Sequence, residues 1–173
     1  MTLAKPAMSA LERITLREVA SSDLDAFYTQ QLDPEAIRMA AFVNPDRKER
    51  AAFDAHWDKI LKAPRTTNRT IVAGGQVSGQ IACYPQGEHL EVTYWLGREF
   101  WGRGVATQAL HLMLQLIGDR PIFGRAATDN VGSIRVLQKC GFKIVGQDKG
   151  FAQGRGEETV EYILRLDPAP ADQ

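Results

Sequence analysis

An excess of either charge is missing from this sequence: Lys and Arg number 21, Asp and Glu also 21, and the formal net charge is zero. A protein that grips a phosphate backbone shows a basic excess or stripe, so nucleic acid is not expected as a partner. Cysteine is scarce. Cys83 and Cys140 stand in no metal or redox spacing and are expected as free thiols in a reducing compartment. The three histidines, His56, His89 and His111, form no pair at ligand spacing, so no metal is expected. No run approaches the ~20 apolar residues of a membrane span, so no membrane partner is expected. Residues 1–10 carry one lysine and no apolar block, so no secretory leader is expected and the location is read as cytoplasmic.

What is present suits one globular domain: 173 residues, 44% hydrophobic and 24% charged. A chain of this size buries roughly two-thirds of its unfolded surface. Residues 1–11 read as a flexible lead-in, 12–166 as the domain, and the Pro/Ala-rich 167–173 as a flexible tail. Alternation predicts a first strand at Ile14–Glu18. Helices are predicted over Asp25–Gln31, from Pro34 to about Met39, and over Asp46–Lys62. From Thr70 the period switches to two. Thr70–Ala73, Val77–Tyr84 and His89–Leu96 are expected as consecutive strands, and a glycine-punctuated loop, Gly97–Gly104, follows. An amphipathic helix comes next, with Gly118 placed to cap it. Pro121–Thr128, Phe142–Gln147 and Thr159–Leu166 read as strands, with a short helix Asn130–Cys140 among them. The fold class is α+β: one mixed, mostly antiparallel sheet flanked by helices.

The most informative segment is Tyr94–Leu110, where a strand runs through a Gly-rich turn directly into a helix. A helix N-terminus presents unpaired N–H groups and the positive end of its dipole, which suits phosphate. Gly102 and Gly104 let the main chain wrap an anion, and Arg103 can add a charge. The P-loop pattern fails because Arg103-Gly104 stands where Lys-Ser/Thr is required. The dinucleotide fingerprint starts at Gly102 and fails at Thr107.

The run Trp101-Gly102-Arg103-Gly104-Val105-Ala106-Thr107 resembles the acyl-CoA pyrophosphate loop of the GNAT acetyltransferase superfamily, Gln/Arg-x-x-Gly-x-Gly/Ala. Trp101 departs from its first position, and this form looks like the branch of ribosomal-protein N-terminal (alanine) acetyltransferases. A second signature lies about 24 positions on: Asn130-Val131-Gly132-Ser133, a short helix, then Gly141-Phe142. Asn130 also reads as a helix N-cap and Gly141 as a left-handed C-cap.

The resemblance covers about residues 12–166 and implies a fold in which a splayed pair of strands holds acyl-CoA. It implies acetyl-CoA as cosubstrate and direct transfer of the acetyl group to a primary amine, with a protein or peptide α-amine as first reading. A small-molecule amine (amino acid, polyamine, antibiotic) and a non-catalytic acyl-CoA-binding protein are the alternatives. Transfer needs an amine without its proton, a polarised thioester carbonyl and a protonated leaving thiolate. By position, the backbone donor to the carbonyl comes from near Trp95–Leu96. Many family members place a Tyr acid seven residues after the Asn; here that position is Leu137. Ser133 matches a hydroxyl near the CoA sulfur and equally reads as a first-turn helix serine.

Glu91 is the first choice for a base, with Glu88 weaker and a water chain to solvent as the other route. The alternation Leu90/Val92/Tyr94/Leu96 sets Glu91 on the opposite face, where solvent is one reading. The resemblance has the first helices, with Phe27 and Tyr28, and the glycine-rich Lys149–Glu158 wall the acceptor site; the latter reads as a mobile loop. No apolar stripe marks a dimer surface, and a homodimer stays open.

Overall fold

The computed structural model describes residues 13–171; the expected lead-in and the last two residues of the tail lie outside them. The elements run in order: β1 (Ile14–Arg17), α1 (Leu24–Gln31), α2 (Pro34–Ala40), α3 (Arg50–Leu61), β2 (Thr67–Ala73), β3 (Gln76–Gln86) and β4 (His89–Leu96). Then come α4 (Val105–Leu116), β5 (Ile122–Ala127), α5 (Val131–Lys139), β6 (Lys143–Ala152) and β7 (Glu157–Leu166). The seven strands form one sheet in the order β1-β2-β3-β4-β5-β7-β6. Every pair is antiparallel except β4 and β5.

Side-chain alternation gives the sheet two faces. Leu90, Val92 and Leu96 of β4 point into the main core with Leu110 and Met113 of α4 and Leu137 of α5. The other face is covered from the N-terminal side, where Phe27 of α1 and Phe53 and Trp57 of α3 form a second cluster. That cover rests on Asp23, which is 2% exposed and takes both terminal nitrogens of Arg17 (2.6 and 2.8 Å), the Ala20 N–H (2.8 Å) and the Thr70 hydroxyl (2.7 Å). The Arg17 guanidinium holds the Asp23 carboxyl down at about 2.

Three local expectations change. The helix expected over Asp46–Lys62 is interrupted: Pro45–Lys48 is a 3₁₀ turn, and Glu49 is extended before α3 begins. Gly118 does not cap α4, which ends in an extended Ile117; Arg120 satisfies the last carbonyls, donating to Ile117 O (2.6 Å) and Leu114 O (3.1 Å). Lys149–Glu158 is no mobile loop. Its ends belong to paired strands, Gly154 N–H donates to Ala41 O (2.7 Å), and an added Cβ at Gly154 would stand 2.5 Å from Ile37 O. Its glycine serves close packing against α2, not freedom. Both cysteines are free and buried. Among the described residues no helix is long and apolar enough to cross a membrane.

Candidate active site

Among the described residues β4 and β5 pair as strands only at Leu90↔Ile122 and Glu91↔Phe123. Beyond that each strand follows its other neighbour: β4 stays with β3 to Leu96, and β5 stays with β7 to Ala127. Among the described residues, Val92–Leu96 therefore has no strand partner on the β5 side, and its edge N–H and C=O groups open into the gap. A cavity of about 1320 Å³ fills this gap and passes through the sheet. Ala106, Ser133 and Leu137 line it on the α4–α5 face, and Met39, Trp57 and Ile60 on the other.

At the mouth lies the glycine loop. Gly102 and Gly104 have φ of +71° and +76°, and an added Cβ at either meets nothing within 4 Å, so the backbone angle is what demands glycine there. Gly104 is the N-cap of α4 and makes no side-chain cap; the first bond of the helix runs from Gln108 N–H to Gly104 O (3.1 Å). The amides of Val105, Ala106 and Thr107 thus have no partner within the helix, an arrangement that suits an anion. Trp101 Nε1 donates to Leu96 O (3.2 Å) and ties the loop to the end of β4. Arg103 lies 5.4 Å over the Phe100 ring and donates to Glu99 O (3.2 Å).

Asn130 caps α5: its Oδ1 accepts from Ser133 N–H (3.2 Å), while its Nδ2 donates to Met39 O (3.2 Å) and so ties α2 to this end of the gap. The Ser133 hydroxyl sits 2.7 Å from the Tyr94 hydroxyl. Burial pushes Tyr94 up to about 12, which keeps that phenol protonated through the neutral range. The sequence places Tyr94 only in the apolar register of β4 and gives it no role, although a phenol there signals a need for a buried partner. Trp95 turns toward α1, where its Nε1 donates to Gln30 O (3.2 Å), and Leu96 is buried with its carbonyl taken by Trp101.

Glu91 is 8% exposed, not solvated: it faces the α1–α3 side inside the cavity. Its Oε1 is 3.5 Å from Arg125 Nε, and Arg125 also donates to Glu161 (2.8 Å) and Asp148 (3.1 Å). Burial raises the Glu91 carboxyl above the ordinary glutamate range, opposed by Arg125 and assisted by Glu161. That direction makes the carboxylate a better proton acceptor than an exposed glutamate. Arg125 gave no sequence signal beyond a charge inside a predicted strand. Glu88 is exposed and lies off the cavity, as does His111.

Phe27 and Tyr28 do not line the cavity, against expectation; Phe27 packs on Trp57 at 5.0 Å between ring centroids, and Trp57 reaches the wall in its place. Of the Lys149–Glu158 hairpin, Gln153 alone lines it. Arg47, His56 and Asn68 also line this wall and were not singled out in the sequence. Among the described residues no group of His, Cys, Asp and Glu could hold a metal.

Residues 13–143 match the family model for an acetyltransferase (GNAT) domain. No curated protein matches the chain. Among solved structures, RimJ of Mycobacterium smegmatis, in complex with CoA-disulfide, is 20% identical with a TM-score of 0.77, over 92% of this chain and 84% of that one. Spermidine N-acetyltransferase from Vibrio cholerae, in complex with CoA and spermine, is 15% identical (TM-score 0.76; 89% and 95% covered). The microcin C7 self-immunity acetyltransferase MccE, in complex with acetyl-CoA and AMP, is 21% identical (TM-score 0.74; 90% and 92% covered).

Proposed function

This chain belongs to the GNAT acetyltransferase family and is an acetyl-CoA-dependent N-acetyltransferase; we propose that its acceptor is a protein or peptide N-terminal α-amine, attacked directly in a ternary complex. The observation that carries this reading is the cavity running through the sheet. It lets a thioester enter from the α4–α5 face and an amine reach it from the α2–α3 face, with no acyl-enzyme needed between them. Its volume of about 1320 Å³ leaves room for a length of peptide beside a pantetheine arm. Small-ligand pockets run to roughly 300–1,000 Å³.

The residues fit the cosubstrate in a stated way. The free amides of Val105, Ala106 and Thr107, reached over Gly102 and Gly104, would take the pyrophosphate, flanked by Trp101 and Arg103. Asn130 borders the arm at the start of α5. Acetyl-CoA supplies the acetyl thioester. The unpaired edge near Trp95–Leu96 offers the N–H that polarises its carbonyl. Glu91 takes a proton from the bound ammonium, directly or through one water, and so frees the amine lone pair that attacks the thioester carbonyl. Ser133, whose hydroxyl oxygen can accept from Tyr94, gives its own proton to the leaving sulfur and takes one back from water, while the Tyr94 phenol stays protonated and holds the serine oxygen in place. This pair serves in place of the tyrosine absent at Leu137. A small-molecule amine is the second reading, favoured by the enclosed inner end where Glu91 and Asn68 are both buried.

Thiol release from acetyl-CoA tests the acceptor class. A peptide with a free N-terminus and an internal lysine is expected to release CoA, and the same peptide blocked at its N-terminus is expected not to. Equal release from both would assign the acetyl group to a side-chain amine and overturn the reading.

A further inference from the structure

We propose that the acceptor carries a carboxylate close to its amine, and that Arg47 on the α2–α3 wall receives it. This rests on the acetyltransferase reading above and names the substrate class of the same cavity.

Arg47 belongs to the Pro45–Lys48 turn, and its half-buried side chain lines the cavity. Among the described residues its guanidinium makes no hydrogen bond or ion pair, although burial weakens its hold on its proton. A cation held partly out of water without a counter-charge costs stability, and is explained when a ligand brings the anion. The turn is fixed independently of that side chain. Gln31 Nε2 donates to Arg47 O (2.6 Å), the Tyr28 hydroxyl donates to Lys48 O, and Asn44 Oδ1 accepts from Asp46 N–H (3.0 Å). The guanidinium is therefore carried on a prepared support.

The charges around it agree. Lys48 and Lys59 line the same wall with His56, and no Asp or Glu of α2, the turn or α3 does. The acids of α3 are spent elsewhere: Asp54 pairs with Arg50 and Asp58 with Lys62. Among the described residues the only carboxylates lining the cavity, Glu91 and Glu161, both stand on Arg125. Burial with Arg47 and Lys59 pushes His56 down to about 4, so at neutral pH it is an uncharged hydrogen-bonding group. Deeper on the wall, Asn68 donates Nδ2 to Ile60 O (3.1 Å), but its buried Oδ1 has no partner among the described residues and is free to accept an N–H. A wall with a waiting guanidinium and an orphaned amide oxygen complements a molecule with one carboxylate and one amine or amide N–H. It repels a polyamine.

The test is CoA release from acetyl-CoA with matched acceptors: Ala-Asp-Ala-Ala-amide against Ala-Asn-Ala-Ala-amide, L-alanine against alaninamide, and spermidine. The carboxylate member of at least one pair is expected to exceed its neutral partner about tenfold in kcat/KM, and the responding pair tells peptide side chain from free amino acid. Arg47→Gln is expected to raise KM for that member about tenfold, leave the neutral partner within twofold, and leave acetyl-CoA's thermal protection unchanged. Since the side chain makes no hydrogen bond or ion pair of its own among the described residues, the variant is expected to fold. Lys59→Gln, on the same wall, should give the same pattern at smaller size. Preference for the neutral partners or for spermidine, or release with none of the carboxylate acceptors, overturns the proposal. So does a loss of acetyl-CoA protection in Arg47→Gln, which would assign the guanidinium to a phosphate. Protection of the parent protein by acetyl-CoA separates each of these results from failure of the cofactor reading.

Discussion

The two walls of the cavity are made of different material. On the α4–α5 side the groups proposed to meet the cosubstrate are largely main chain: the open amides of Val105–Thr107, two glycines at positive φ, and the unpaired edge of β4. On the α2–α3 side they are side chains from separate elements, Arg47, His56, Trp57 and Asn68. A main-chain site can change its side chains and keep its ligand, so it suits a cosubstrate that is constant. A side-chain site changes with each substitution, so it suits the partner that varies. Glu91 stands where the two walls meet, and in the proposed mechanism it alone does chemistry on the acceptor.

That division can be broken at several points, and the greatest effect belongs to the junction. Glu91→Gln should lower kcat/KM by about 10²–10³-fold, the range of a positioned general base. The Glu91 carboxyl is raised, and only its ionised form accepts a proton. Activity should therefore fall on the acid side at a pH above the ordinary glutamate range, and Gln should erase that limb. An unchanged pH–rate profile would remove Glu91 and leave the water route.

On the main-chain wall, Gly104→Val forces a β-branched residue toward φ +76°, against a cost of about 1–2 kcal/mol. The expected result is at least a tenfold loss of acetyl-CoA affinity, read by titration, with the acceptor preference unaltered. The hydroxyl pair comes next. Ser133→Ala and Tyr94→Phe should each lower kcat about tenfold, and the double variant should be little worse than either, because one proton path is lost once. Additive losses would mean that the two act separately.

The smallest effect concerns the support of the side-chain wall. Asp23→Asn should cost about 2 kcal/mol, less than a fully buried pair because Arg17 is half exposed, and lower Tm by about 4–8 °C. The Asp23 carboxyl is depressed to about 2, so its contribution is full above the unfolded carboxyl range and is lost as pH falls toward 2. The variant should lose that acid dependence.

The same contrast explains what could be read in the sequence. A main-chain device needs particular residue types at adjacent positions, so Trp101–Thr107 and Asn130–Ser133 stood out as contiguous runs. The order of strands and helices followed from period and punctuation. Glu91 was legible as a strand glutamate, but its burial was not: alternation gives its face, not what covers that face, and α1–α3 fold over it from 30 to 70 positions away. The acceptor wall was illegible for that reason. Arg47, His56 and Asn68 come from a turn, a helix and a strand, and only their packing makes them neighbours. Glycine misled once, at Gly154, where it serves close approach to Ile37 and not mobility.

The most direct measurement is thermal unfolding of the parent chain and of Gly104→Val, each with acetyl-CoA, with desulfo-CoA and with ATP. At about 100 times Kd, binding adds ~2.7 kcal/mol, which should raise the parent's Tm by about 5–10 °C with both CoA species and not with ATP. At the same concentrations Gly104→Val, with at least a tenfold loss of affinity, should show no more than about half of that shift while still unfolding cooperatively. No shift in the parent would contradict the cosubstrate itself, and an equal shift in the variant would contradict its seat on the main-chain wall.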